Sequence, residues 1–506
     1  MNHLHKVSMF FILVTSNSFS QESINAKILD STSQKPIPFA TISINENSGV
    51  ISNNNGEFLL YLNQNKSKKD SLIIRCLGYQ TKCFLVNTFN DSVVLLSPKS
   101  IELNEVLISN KNYTAEEIIE KAKENLANNY DYDFIKSKVF YRASNLTNLL
   151  KKEVTIKNTT IPEFNQSFVD SLLNAMPDSA DNYTEVLADM YGKSGINDTL
   201  KLDIIKASNL YDKSREITFN SYEEKFNSII KKYVKRDSYF KIKSGVFGTK
   251  EDMDSSFFHN EKPKVDETEA FLEEQKKKEQ ERKNSFTKHT KYSISRLQLK
   301  SFSYPDSDLN FLEKSNRYEF ELEDYSFLNN NFVCIIKFKP KRSANYKGTI
   351  YVNIDDFAII RVDYENVKAL KNFRLLGLSY NLYLKRGTFI YEKNKFNRYA
   401  LKYAEVEEGN KFGIKRPLKI IEKNKHSKGR RKQNELSSDI HFIVSNIEKQ
   451  ELVVFENNPI NRTDYAAFEE KPKVKPIYLP KYDPEFWKGY NVIEPNQAIR
   501  DFKSIE

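Results

Sequence analysis

The chain has 506 residues, room for two to four domains, and its 39% hydrophobic and 29% charged residues exclude global disorder. Only 14 glycines occur, below the usual share of about 7%, which argues against Gly-rich phosphate loops. The formal charge of +10 is interspersed with acids, so it fits plain solubility or weak attraction to anionic envelope surfaces rather than nucleic acid.

Residues 1–20 read as a secretory signal. Lys6 supplies the positive start, Val7 to Val14 a short apolar core, and Ser18-Phe19-Ser20 the small residues before a cut, with Gln21 as the new N-terminus. The core is far shorter than the ~20 apolar residues of a membrane span, so cleavage is expected rather than anchoring. No Cys stands near the cut for lipid attachment, and no later segment is long and apolar enough to cross a membrane as a helix.

Residues 22–98 hold seven short strand candidates: 24–29, 39–45, 49–52, 57–62, 71–77, 81–86 and 92–96. Several alternate apolar and polar residues, as in Ile42-Ser43-Ile44, and Asn53-Asn54-Asn55-Gly56 is a turn run that tolerates positive φ. This spacing predicts a seven-stranded β-sandwich. Cys76 and Cys83 flank a turn at Gly78-Tyr79. A tight turn offsets them diagonally, so two buried thiols are expected, with a disulfide as the alternative. Cys334 lies in an apolar strand and is expected in the core.

Four ordered pieces carry a family likeness: Asp30-Ser31-Thr32; Lys35-Pro36-Ile37-Pro38-Phe39-Ala40-Thr41-Ile42; Gly49 to Phe58; and Leu77-Gly78-Tyr79. Together they resemble the carboxypeptidase regulatory-like domain. The family often has Gly where Ala26 stands and Thr where Ile51 or Ser52 falls. The resemblance implies a transthyretin-like sandwich that accompanies other domains and performs no chemistry. It does not imply a peptidase. Beyond residue 20 the histidines are His259, His289, His426 and His441, none in a His-x-x-Glu or His-Glu-x-x-His setting, so a zinc site has little to build from.

Residues 97–110 read as a connector with a strand-like piece at Glu105–Ile108. A helix follows, opened by a Thr114/Glu117 capping box and carrying Ile118, Ile119, Ala122 and Leu126 on one face. Phe140-Tyr141-Arg142 fits a strand. The stretch 162–234 reads as helical, within a mixed, largely helical region 99–260. On a helix, Glu185 and Asp189 would share a face, either as paired carboxylates for acid–base or metal chemistry or as a solvated surface. Residues 261–289 form a charged insertion or linker, read as an exposed helix or a docking arm.

Residues 290–455 turn strongly β, with strand candidates at 317–323, 332–339, 348–354, 358–364, 378–384, 399–406 and 440–446. Turns are expected at Asn329–Asn331 and at Asp355-Asp356. Consecutive hairpins predict an antiparallel curved sheet or half-barrel. The succession Phe338-Lys339-Pro340-Lys341-Arg342, Tyr346 to Asn353 and Phe357 to Val362 is similar to the half-barrels of periplasmic lipoprotein carriers. That likeness implies a concave sheet able to hold something apolar; a fully packed sheet is the alternative. The loop Lys423–Lys432, with Arg430-Arg431-Lys432, is either a solvated loop or a phosphate contact. The tail 456–506 holds the only Trp, Trp487, among aromatics and prolines, as a strap across the body or a docking peptide.

The whole layout resembles Bacteroidota envelope proteins that contain a carboxypeptidase-like regulatory domain, a likeness that brings no activity or site with it. The fold class expected is mostly β with a helical middle (α+β). The expected function is that of a non-enzymatic exported protein of the periplasm or outer membrane, binding a protein or lipid partner or organising the outer membrane. A lipid carrier is the alternative, and a hydrolase with an unfamiliar site, built for example around Asp355 and Asp356, comes third. No Gly-x-Ser-x-Gly elbow occurs, and no catalytic, cofactor or metal residue is assigned.

Overall fold

The computed structural model describes residues 23–45, 49–62, 70–99, 113–130, 133–193, 199–252, 269–328, 331–341, 343–394, 396–426, 428–429 and 431–504. The expected signal segment, the strand-like piece Glu105–Ile108, His259, the start of the charged insertion, Asn329-Asn330 and Arg430 lie outside the described residues.

The front of the chain forms β1 (Ser23–Asp30), β2 (Thr41–Ile44), β3 (Gly49–Ile51), β4 (Glu57–Tyr61), β5 (Ser71–Arg75), β6 (Lys82–Leu85) and β7 (Val93–Leu96). They make two sheets, β4-β1-β7 and β3-β2-β5-β6, the sandwich that the alternation predicts. Alternate β1 residues Ile24, Ala26 and Ile28 face inward onto Phe58, Leu60, Ile42 and Ile74. The Asn53–Gly56 turn works as expected. Asn53 Oδ1 accepts from the amides of Asn55 and Glu57, and Gly56 sits at φ +74°, where a Cβ would come within 2.4 Å of the Ile28 carbonyl oxygen. Two separate pieces of the sequence signature meet in space. The Tyr79 hydroxyl donates to Asp30 Oδ2 at 2.9 Å, while Asp30 Oδ1 accepts from the amides of Thr32 and Ser33. These bonds, the Ser33 amide foremost, hold the Asp30 carboxyl below its ordinary value.

The middle begins with α1 (Ala115–Glu124), whose Thr114/Glu117 capping box forms in both directions. Next come β8 (Phe134–Thr159), α2 (Gln166–Ala175), β9 (Ser179–Lys193), β10 (Lys201–Tyr211), α3 (Ser214–Tyr233), the hairpin β11 (Ser238–Ser244) and β12 (Phe247–Asp252), and α4 (Glu269–Gln298). This corrects the helical reading of 162–234: β9 and β10 interrupt it. Runs such as Glu185-Val186-Leu187-Ala188-Asp189-Met190 are good helix formers by propensity. Here β9 is paired on both sides, by β8 and β10, and is buried on both faces, so tertiary pairing overrides local preference. The expected β-rich stretch from 290 also begins as helix, since α4 runs to Gln298.

The rest of the sheet comprises β13 (Tyr318–Leu328), β14 (Asn331–Pro340), β15 (Tyr346–Asn353), β16 (Ala358–Asn366), β17 (Lys371–Leu375), β18 (Leu378–Lys393), β19 (Tyr399–Asn424), β20 (Lys432–Pro459) and β21 (Ile477–Leu479). With β8–β12 they form one 14-stranded sheet, in the order β13-β14-β15-β16-β18-β19-β20-β8-β9-β10-β21. β11 is added beside β19 and β17 beside β18. The sheet curves without closing into a barrel. The stretches read as a helical middle and a β-rich end therefore share one sheet, joined where β20 pairs with β8.

Strand alternation sends successive residues to opposite faces. One face carries Val139, Tyr141, Ala188 and Leu452 and is filled by α1, the end of α4 and the chain at 302–312 through Ile119, Leu297, Phe302 and Phe311. The other carries Phe140, Leu187, Tyr403 and Val453 and packs against the sandwich and the tail residues Trp487, Val492 and Ile493. Both faces are covered, which answers the concave-cavity expectation in favour of packing over this part of the sheet. Three strands run beyond the core: β8, β19 and β20 are 26, 26 and 28 residues long. Their far ends form a ribbon that carries α3 and the β11–β12 hairpin.

Candidate functional site

The register across the sheet lines up one polar residue per strand: Glu321, Lys337, Thr349, Asp363, Thr388, Glu405, Glu451, Arg142, Glu185 and Ser208. At the buried end of this row Arg142 is 2% exposed and Glu185 1%. Arg142 reaches Glu185 Oε1 at 2.8 Å and Glu451 Oε2 at 3.8 Å, and its Nη2 donates to the Ile493 carbonyl at 2.8 Å. Trp487 Nε1 donates to Glu185 Oε2 at 2.7 Å. Lys449 lies between Glu405 (3.0 Å) and Glu451 (3.3 Å), and the Tyr403 hydroxyl donates to Glu405 at 2.7 Å. Burial pushes Glu405 up. Burial also pushes Glu451 up, but Lys449 and Arg142 outweigh it and hold that carboxyl down. This cluster is an internal lock that holds the tail on the sheet, and the tail is a strap, one of the two expectations for it.

The carboxylates singled out from sequence separate in space. Glu185 enters the lock, while Asp189 meets Lys136 at 3.7 Å, so they form no acid–base pair. Asp355 and Asp356 stand in the β15–β16 turn as expected. Asp356 accepts from the Ala358 amide at 3.1 Å and pairs with Lys393 at 2.8 Å. The Lys423–Lys432 loop joins β19 to β20; Lys425 pairs with Asp252 at 3.2 Å, and Lys432 pairs with Glu435. Cys83 is exposed, against the buried thiol expected, because β6 turns that side chain outward opposite Ile73. Cys334 is buried as expected, and burial pushes its thiol up to about 12. Cys76 lines a cleft of about 290 Å³ between the sandwich and the sheet. Burial pushes its thiol up to about 11, so it is no thiolate nucleophile at neutral pH.

The cavity with binding chemistry lies on the ribbon, where α3, β11, β19 and β20 meet the chain at Ile161–Phe164. It encloses about 300 Å³, with Phe164, Ile230, Phe240, Ile242, Ile420 and Leu436 in its wall. Phe226 stacks on Phe164 at 5.2 Å and stays 47% exposed. Of the three carboxylates beside it, Glu251 is exposed and the two buried ones are engaged elsewhere. Glu422 accepts from the Lys235 amide, the Ser238 hydroxyl and the Asn434 side chain. Glu435 is bonded by Lys419 and Lys432, which lower its carboxyl from the ordinary value of 4.5 to about 2. An apolar wall whose buried carboxylate neighbours are already hydrogen-bonded can hold an aliphatic group.

Glu435 also predicts an acid response. Its folded value is depressed, so the stability it contributes is complete above about pH 4.5 and is lost as pH falls toward 2. Glu435→Gln should flatten the acid limb of a stability-against-pH curve in that window and lower stability at pH 7. An unchanged acid limb would show that the two lysines do not hold this carboxylate.

The CarboxypepD_reg-like domain family matches residues 24–108. No curated protein matches. Among solved structures, a LolA superfamily protein from Nitrosomonas europaea is similar at 9% identity and TM-score 0.18, over 71% of this chain and 98% of that one. The Pseudomonas aeruginosa MucA/MucB complex is similar at 5% identity and TM-score 0.16, over 65% and 93%. Likenesses this distant carry no argument about function. The sandwich at the front bears the signature of the CarboxypepD_reg-like domain, as the sequence motifs imply.

Proposed function

We propose that this is a non-enzymatic exported envelope protein that binds the acyl chain of a lipid, or a ligand of the same apolar chemistry, in the ribbon groove. The observation that carries the reading is the groove wall: about 300 Å³ faced by aliphatic and aromatic side chains, its two buried carboxylate neighbours, Glu422 and Glu435, bonded elsewhere. That volume is at the lower end of small-molecule sites. Export is supported by the charged start, short apolar core and small-residue cut at 1–20. The non-enzymatic part is supported by the raised thiols. Among the described residues no group of three or more His, Cys, Asp or Glu stands where it could hold a metal, which is an absence and carries no weight for or against catalysis. Among them, too, no helix is long and apolar enough to cross a membrane.

The test is native mass spectrometry with lipid extraction on protein purified from its own envelope, followed by titration with a fluorescent fatty acid. A defined lipid stoichiometry and saturable probe binding are expected. Phe226→Glu places a charge in the groove at a half-exposed position. It should cost about 1 kcal/mol of stability from the lost ring contact while weakening the probe about tenfold or more. An apo mass together with no saturable binding would sink the groove as a ligand site.

A further inference from the structure

Beyond the groove, and independently of it, we infer that the two hairpin tips on the β19 edge form a docking surface for an anionic phospholipid membrane. The β17–β18 and β11–β12 hairpins both pair with β19, at 378–393 and 238–243, so their turns approach each other along one edge. Arg416 joins them. Its Nε donates to the Ser244 hydroxyl at 2.8 Å, its guanidinium lies 4.8 Å from the centre of the Phe247 ring, and the adjacent Lys415 amide donates to the Gly377 carbonyl at 2.7 Å.

Two properties of this edge point to a membrane. The first is its composition. Segments 241–250, 371–384 and 411–419 together carry nine Lys or Arg and no Asp or Glu, in a chain whose charges are otherwise nearly balanced; two of the nine, Lys250 and Lys419, pair with Asp252 and Glu435 outside the segments. Among those cations stand exposed apolar side chains: Val246 (83% exposed) and Phe247 on one tip, Leu375 (65%), Leu376 and Phe373 on the other, and Phe412 on β19 beside Tyr380 of β18. Apolar tips that enter the headgroup region, within a field of basic residues, match an anionic bilayer surface in both chemistries.

The second property is backbone cost. Leu375 pairs with Leu378, so Leu376-Gly377 is a two-residue turn with φ of +48° and +80°. Asn-Gly is the favoured pair there, and a leucine is strained in the left-handed region. Leu376 gains little burial inside this chain in return, since it is more than half exposed. A strained, solvent-facing leucine is accounted for by a surface outside the chain that receives it.

The experiment is cosedimentation of the full chain with vesicles of phosphatidylcholine and with vesicles of equimolar phosphatidylcholine and phosphatidylglycerol. Binding is expected to the second, and to weaken as salt rises. Leu376→Asn creates the favoured turn pair. It should leave the melting temperature equal or higher while lowering vesicle affinity about tenfold, an effect opposite in sign to that of a merely structural leucine. Neutralising Lys243, Lys371 and Arg374 together with Gln should lower it on the order of a hundredfold. Phe226→Glu, the groove variant, should bind vesicles as the parent does, so the two readings fail separately. Equal binding to both vesicle types, no binding to either, or full retention by Leu376→Asn would overturn the proposal. So would a protein partner captured through these tips in the absence of vesicle binding.

Discussion

Trp487→Ala should destabilise the protein by about 4 kcal/mol and free the C-terminal strap for proteolysis. The indole is 4% exposed and meets the Phe140 ring edge-on at 5.4 Å and the Phe486 ring at 5.0 Å. Truncating a buried aromatic to alanine costs about 3–5 kcal/mol through lost transfer energy and the cavity left behind. The same change removes the N–H that Glu185 accepts, leaving a buried carboxylate one partner short. Val492 and Ile493 follow Trp487 into the same apolar layer, so losing the anchor loosens the rest of the strap. Urea unfolding gives the energy, and limited proteolysis shows whether cleavage moves to residues 480–495. Phe at this position keeps most of the packing without the donor, and should fall between the parent and alanine. A loss under about 1 kcal/mol would mean that the strap is held elsewhere.

Arg142→Met should cost about as much, for a different reason. The guanidinium is the cation shared by Glu185, Glu451 and the Ile493 carbonyl, and removing one partner of a buried ion pair costs about 3–5 kcal/mol because the other charge stays behind. Glu451 keeps Lys449, whereas Glu185 keeps only hydroxyl and indole donors. The sign with pH follows. Without Arg142 the Glu451 carboxyl loses one of the two cations that hold it down, and it binds protons more readily in the folded state than it does in the parent. The deficit should therefore be largest near neutral pH and shrink as pH falls. Arg142→Met with Glu185→Gln should recover part of the loss. If the double variant is as unstable as the two single losses added together, the pair is not coupled and the lock is wrongly drawn.

Much of the fold is legible in the sequence where short-range chemistry decides it. Asn53–Gly56 turns because Asn53 Oδ1 accepts from the amides of Asn55 and Glu57 and Gly56 admits a positive φ. The helix at Ala115 starts where Thr114 and Glu117 cap each other. The hairpins from β13 to β16 are visible because their alternation and turns lie within some fifty residues. β9 is not legible, because its helix-forming residues take the strand form only between β8 and β10. The candidate groove escapes a reading along the chain for a related reason. Ile161, Ile230, Ile242, Ile420 and Leu436 are unremarkable apolar residues until the ribbon brings them together. The scarcity of acids in 371–384 and 411–419 was the one signal that could have marked the docking edge from sequence, had the segments been known to be neighbours.

The sequence by itself determined the sandwich, the capped helix and the run of antiparallel hairpins, since each rests on residues close enough to set one another's backbone angles. Only the tertiary structure decided that β20 returns to β8. It thereby set Arg142 between two glutamates, with the strap 351 residues away at Ile493 closing over them. The physical reason is that periodicity encodes which face of a strand is buried but not which distant strand lies beside it. That choice comes from the summed packing of both sheet faces, which no local stretch of chain contains.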